Sequence, residues 1–369
     1  MPNFRSRALM SAETPRSVKE EMSKLQSSET RPTRTKFRTG PTERTLSGTC
    51  HVSSMATQPV LAPPQRYPEA VPRDLLTPDL KRRWDEDGWC IIPDAIPSRD
   101  LAAAQDALTR LFPTAAEMEE GVDDVHHARW RTWDAKWPEF PFHSSRMNGL
   151  VLHDKVISLA EDLVGTSDIS LYMGIVTAKY SGQSSGFNQL LHADYPNHMI
   201  VVPRPDVGYR QVEFFIYLTD VTLEDGATRL VSRQKTKDIP IERHTLNYID
   251  YADLYDDPGN AAGSAGSVVA YSPDVYHRSV DVEEPGHRRV MLHVSFKPCH
   301  AAWGGYQAWP FKGLSPEWSK FVQQATVRQL SVLGLPEPGH PYWTAQTLAG
   351  VSARYPRLDM SPLREALGG

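Results

Sequence analysis

Apolar and polar positions follow two different periods along this chain. Up to about residue 165 the pattern is helical. Thr77-Pro-Asp-Leu-Lys-Arg-Arg-Trp84 opens a first helix, with Thr77 as N-cap and Pro78 in the first turn, and Gly88 ends it. Trp89-Cys90-Ile91-Ile92-Pro93 reads as a short strand. Ser98 is expected to cap a second helix in which Leu101, Ala104, Leu108 and Leu111 recur at helical spacing. A third helical pattern runs from about Val151 to Leu163 and is closed by Gly165. From residue 169 the period shortens to two. Strand-like runs cover Ile169–Tyr180, His198–Val202, Gln211–Leu218, Ala227–Val231, Ser267–Tyr271 and Arg288–Phe296. Turn material separates them: SGQSSG, PRPDVG, LEDG, DDPGNAAGSAG and VEEPG. Many short strands with Gly and Pro turns predict a mainly β fold, an antiparallel sandwich or barrel, with flanking helices. The last seventy residues are rich in Trp and Pro and carry one helical pattern near Trp318–Leu333. They read as a covering segment, not as a separate domain.

Composition changes this picture at the N-terminus. Residues 1–60 hold ten Lys and Arg against five acids and no Trp or Tyr, so they carry +5 and the rest of the chain −10. Ser, Thr, Arg and Pro dominate there, and such a segment buries too little apolar surface to offset its ordering entropy. The expected organisation is a disordered basic tail over 1–70 and a single folded domain over 71–369, its barrel at about 169–297. The tail is open to three readings: an interaction arm, a transit peptide, or sequence upstream of a true start at Met55. Cys50, Cys90 and Cys299 form neither a disulfide framework nor a CxxC site, which suits a reducing, cytoplasmic setting. No run of eighteen apolar residues is present, so no transmembrane helix is expected. The acidic body argues against nucleic acid as a partner and leaves a small-molecule substrate as the expectation.

Chemistry concentrates in the β-region. His192-Ala193-Asp194 places two ligand-type side chains at i and i+2, on one face of a strand or strand end. His277 follows 85 residues later, after the run Ser267–Tyr271. Two His and one carboxylate bind Fe(II) on one triangular face and leave further positions for a cosubstrate and O₂. The doublet Arg288-Arg289 begins the next strand, eleven residues beyond His277. A buried Arg needs an anion, and a cosubstrate carboxylate gives its planar fork a bidentate partner.

These residues carry a family resemblance. LKRRWDEDGWCIIPDAI, LAEDLVG, AKYSG, LLHADYPNH, FFIYLTDVTLEDGATRLVSRQ and YSPDVYHRSVDVEEPGHRRVMLHVSF together resemble the phytanoyl-CoA dioxygenase family of Fe(II)/2-oxoglutarate oxygenases, over about residues 75–350. The resemblance implies a double-stranded β-helix, a cupin-like jelly roll. It implies that His192, Asp194 and His277 bind iron and that Arg288 holds the distal carboxylate of 2-oxoglutarate, with Arg289, on the opposite face of the strand, as the alternative reader. Lys179, Tyr180, Gln189 and Thr228 are candidates for further cosubstrate hydrogen bonds. The family's frequent Pro-Gly-Ser-His turn is replaced here by Val231-Ser232-Arg233-Gln234-Lys235, which puts substrate contacts from that turn in doubt. The retained Asp194 implies hydroxylation, where halogenating relatives carry a small residue.

Tyr195, Asn197 and His198 follow the metal pair and either face substrate or begin the next strand. Trp130, Trp133 and Trp137 lie at spacings of three and four and read either as core packing or as an aromatic wall over the substrate. His287 and His293 read as packing or surface residues. The competing functions are another cupin-like metal enzyme, which would lack the Arg, and a non-catalytic metal-binding relative.

Overall fold

Alternation of side chains on long strands builds the larger of two sheets. The computed structural model describes residues 75–368, apart from 110, 122–136, 183–188, 205, 207–208, 241 and 306–308. The chain divides at Gln65/Arg66, and all described residues belong to the second unit. The tail expectation for residues 1–70 lies outside the described residues, as do Trp130 and Trp133.

In chain order the described strands are β1 (Trp89–Ile92), β2 (Ile169–Tyr180), β3 (Leu191–His192), β4 (Val212–Tyr217), β5 (Arg229–Leu230), β6 (Thr245–Leu246), β7 (Gly259–Asn260), β8 (Val268–Tyr271), β9 (His277–Arg278) and β10 (Arg288–Pro298). They form two antiparallel five-stranded sheets. The major sheet has the order β1-β8-β4-β10-β2 and the minor sheet β6-β3-β9-β5-β7. This is a jelly roll, and non-consecutive neighbours in both sheets give it its crossed connections.

One face of the major sheet meets helices. Val212, Phe214 and Ile216 of β4, Val268 and Ala270 of β8, and Val290, Leu292, Val294 and Phe296 of β10 share one buried cluster with Leu101, Ala104, Leu108, Leu159 and Leu163. Side chains of the C-terminal segment, among them Trp309, Trp318, Phe321 and Trp343, belong to the same cluster. Trp84 and Trp309 fix their indoles by donating to the carbonyls of Leu163 and Leu171. The opposite face looks into the barrel, where Phe215, Tyr217, Val269, Tyr271 and Met291 pack with Ala227, Leu230 and Ala261 from the minor-sheet side.

Three local expectations need correction. The helix Ser98–Leu108 has Pro97 at its N-cap and no side-chain capping bond, so Ser98 is its first residue. The pattern near Trp318–Leu333 folds as two helices, Pro316–Val322 and Val327–Val332, because Thr326 starts a new capping box with Gln329. His198–Val202 is not a strand. Tyr195–His198 forms a helical turn, only Met199 makes a bridge, to Gly304, and Ile200 stands 88% exposed.

Leu292 is fully buried on the helix-covered face of β10. Leu292→Ala is expected to cost about 2–5 kcal/mol, because the strand is paired on both sides and cannot collapse into the hole. Urea unfolding monitored by far-UV circular dichroism checks this: the midpoint should fall with the slope unchanged.

Candidate metal centre

β3 and β9 are two residues long each, and their pairing sets His192 opposite His277, with the Cα atoms in register. The ring centroids are 4.6 Å apart. Asp194 comes two residues after the end of β3 and is the N-cap of the turn Tyr195–His198. His192 Nε2 lies 3.6 Å from Asp194 Oδ1, and His277 Nε2 lies 3.3 Å from Oδ2. Ligands each about 2.1 Å from one ion sit roughly 3–4 Å from each other, so this spacing admits a common metal. Among the described residues no other three His, Cys, Asp or Glu side chains come within such reach.

Neighbouring groups orient all three. His192 Nδ1 is 2.9 Å from the Leu190 carbonyl and His277 Nδ1 is 3.0 Å from that of Val275, two residues back in each case. Donation from Nδ1 leaves the Nε2 lone pair for an ion. Tyr271 donates its hydroxyl to Asp194 Oδ2 at 2.9 Å. Burial opposes charge on Asp194, but His277, His198 and His192 hold its carboxyl well below the usual range. The donor set is therefore one carboxylate and two imidazoles, which suits Fe(II).

The arginine doublet divides across the strand. Arg288 points to the helix-covered side, where it and the Tyr180 hydroxyl both donate to the Pro113 carbonyl. Arg289, 3% exposed, points into the barrel. It donates to the Gly226 carbonyl and, at 3.1 Å, to Ser279 Oγ. Its Nε has no hydrogen-bond partner, and no carboxylate lies within ion-pair distance of it among the described residues. Gly226 is in the left-handed region at φ 74°, and a Cβ there would come within 2.5 Å of the Asp281 carbonyl oxygen, so this close approach requires glycine. Lys179 is the register partner of Arg289 on β2 and also faces inward. Burial, with Arg289 beside it, pushes Lys179 down to about 8, while Asp281 at 3.1 Å works against this.

Among known sequences, the family model for phytanoyl-CoA dioxygenase matches residues 84–290. The chain belongs to the phytanoyl-CoA dioxygenase family. Membership makes it an Fe(II)- and 2-oxoglutarate-dependent oxygenase-type enzyme, an oxidoreductase of a family that acts on small molecules with O₂ as oxidant. No curated protein matches the sequence. Similar solved structures include the carbocyclase SnoK from nogalamycin biosynthesis, at 19% identity and a TM-score of 0.48, covering 66% of this chain and 93% of that one. HygX from Streptomyces hygroscopicus, solved with nickel and 2-oxoglutarate, has 16% identity and a TM-score of 0.44 over 63% and 96%. The epimerase SnoN, also from nogalamycin biosynthesis, has 15% and 0.43 over 62% and 84%. No helix among the described residues is long and apolar enough to cross a membrane.

The structure brings His192, Asp194, His277, Arg289 and Lys179 to the barrel interior. Arg288 and Tyr180 face away from it. Gln189 is engaged elsewhere: its backbone and its side chain both bond to Ser279, extending the pairing that holds β9. Thr228 is buried, and its carbonyl accepts from Ala261. Tyr195 is buried against His244, whereas Asn197 is exposed. Trp137 packs on the core near Phe112, 6.4 Å between centroids. Two cavities, of about 410 Å³ beside Leu348 and Leu367 and about 290 Å³ beside Trp89 and Lys235, contain none of these site residues.

Two interior residues take part in the site beyond what the sequence pattern indicates. His293 lies on the Arg289 face of β10 against Phe215 and Thr177, and burial pushes it down to about 3, so it is neutral. Its parity with Arg289 was the available signal. Glu213, 1% exposed, accepts from His198 Nδ1 at 2.7 Å and from the hydroxyls of Tyr172 and Ser295. Burial opposes charge on His198, yet Glu213 outweighs it and pushes the imidazole up to about 9. A raised pKa adds stability below the ordinary histidine range and loses it as pH rises through the folded value. The melting-temperature gap between the wild type and Glu213→Gln, measured metal-free, is expected to be widest near pH 6 and to narrow as pH passes about 9.

Proposed function

We propose that this enzyme hydroxylates a small molecule and converts 2-oxoglutarate to succinate and CO₂. The observation that carries the reading is the buried guanidinium of Arg289, which lines the same interior as the triad and has no carboxylate within ion-pair distance among the described residues. A buried cation without a counter-charge is costly, and a dicarboxylate cosubstrate supplies the missing partner. Arg289, in place of Arg288, is thus assigned to the distal carboxylate, with Lys179 as a second positive charge. His192, Asp194 and His277 would hold the metal, each offering a ligand atom within 4.8 Å of the other two. Bound iron, together with 2-oxoglutarate and O₂, supplies the oxidising power that inserts oxygen into a C–H bond. The protein's own part is to orient both ligands, neutralise the cosubstrate's charge and keep water out of an apolar wall built from Phe215, Met291 and Tyr271. Asp194, kept where halogenating relatives have a small residue, favours hydroxylation. Asn197, exposed on the turn after the metal pair, is the substrate contact this arrangement favours, and the free Cys90 and Cys299 suit a cytoplasmic enzyme.

Anaerobic addition of Fe(II) and 2-oxoglutarate is expected to give a weak visible charge-transfer band that disappears in His192→Ala. Absence of the band, with no succinate formed in air, would overturn the proposal. Arg289→Gln should raise the KM for 2-oxoglutarate about a hundred-fold, the scale for unpairing a buried charge. Arg288→Gln should leave that KM nearly unchanged. Succinate release across a panel of metabolites, with mass detection of a product heavier by one oxygen, identifies the substrate.

A further inference from the structure

The turn that carries Asp194 is too short to hold itself. Tyr195–His198 has four residues, and a helix of that length has no stability of its own. Its position is set from outside. The Tyr195 amide donates to the Pro273 carbonyl, and Gly305 donates to the His198 carbonyl. Two side chains of the barrel wall grip its ends. Tyr271 of β8 holds Asp194 Oδ2 at the first end. Glu213 of β4 holds His198 at the other, 2.7 Å from Nδ1. Tyr271 and Glu213 are register partners across β4 and β8, so the two grips sit side by side on one rigid sheet.

Glu213 is itself tightly placed. Tyr172 and Ser295 fill its remaining positions from β2 and β10. Tyr172 reaches it because the β2–β10 register shifts there: Ser295 pairs with Met173 and Phe296 with Leu171, which leaves Tyr172 as the extra residue of a bulge. Gly305, at φ 85°, closes over this group so tightly that a Cβ would come within 2.7 Å of Tyr172. A carboxylate this deep is expensive to bury, and packing alone would be served by an apolar residue.

We propose that Glu213 is a positioning residue for the metal centre: through its ion pair with His198 it fixes the Asp194–His198 turn, and so the direction in which Asp194 presents its carboxylate. The proposal rests on the reading of His192, Asp194 and His277 as the metal site. Removing an outer partner of a metal ligand typically weakens metal affinity about 10–100-fold.

The test is Co(II) titration of the metal-free protein, followed by the visible bands of the bound ion. The wild type should bind one Co(II), and His192→Ala should lose it. Glu213→Gln and His198→Gln should each raise the Kd at least about ten-fold and shift the bands, with circular dichroism unchanged. Because both break one link, the double variant should be no weaker than either alone. If the wild type binds no Co(II), or His192→Ala binds as well as the wild type, the metal-site reading fails and takes this inference with it. If the wild type binds and either folded single variant keeps a Kd within about three-fold and the same bands, the metal site stands and the positioning role of Glu213 is overturned. Losses that simply add in the double variant would also overturn it.

Discussion

Strand β10 is hydrogen-bonded along its length, to β2 on one side and β4 on the other, and its alternation is what both the core and the site rest on. Val290, Leu292, Val294 and Phe296 go to the helices, while Arg289, His293 and Ser295 go to the barrel. A slip of one residue would bury Arg289 in the helix-side core and turn four large apolar side chains toward the candidate metal site. The apolar face therefore fixes the register, and the register delivers the cation. Neither β3 nor β9 could do this, since two-residue strands have little to hold them but the sheet they join.

The long strands were legible because period two is a strong local signal wherever one face is buried and the other is not. The pattern gives Ile169–Tyr180 the boundaries it has and places β4, β8 and β10 to within a residue or two. The candidate triad is legible because HxD is contiguous and His277 comes shortly after a later strand, Val268–Tyr271. The arginine was harder. Spacing from His277 points to Arg288, but spacing does not say which way a side chain faces. Counting alternation back from the apolar residues Val290, Leu292 and Val294 does, and it puts Arg289 on the inward face. The turn at Tyr195–His198 departs from its sequence pattern for a different reason. Met199-Ile200-Val201-Val202 looks like a strand locally, yet the protein leaves Ile200 exposed and spends the preceding residues on holding Asp194.

The barrel interior is unusually polar for a β-core, and its charges are kept apart in two groups. Arg289 and Lys179 lie at one end of the inward face of β10 and β2. Glu213, His198, Tyr172 and Ser295 lie toward the other, near Tyr271 and Asp194. The second group is closed on itself, with donors matched to the carboxylate, so its burial is offset internally. The first is not: Asp281 answers Lys179, but among the described residues no carboxylate lies within ion-pair distance of Arg289. A fold selected for stability alone gains little from an uncompensated guanidinium. Under the proposed function, the interior would receive a dianion, and the guanidinium would then have its partner.

The departure at Val231-Ser232-Arg233-Gln234 fits the same logic. Arg233 grips Asp274 with two parallel bonds, of 2.8 and 3.0 Å, and Ser232 donates to Asp87 of the first helix. Asp274 stands three residues before His277, and Val275, whose carbonyl orients that imidazole, is next to it. A Cβ at Gly88, left-handed at φ 79°, would press on both Val275 and Arg233. Bidentate pairing fixes direction as well as distance. The replacement turn thus braces the segment that leads into His277 from outside the barrel, as Glu213 and Tyr271 brace Asp194 from inside it. His192 draws its order from both, since it is joined to His277 by strand pairing and to Asp194 by two peptide bonds. Three candidate ligands on short, weakly self-stable segments acquire one geometry because each segment is tied to a part of the structure that is rigid for other reasons.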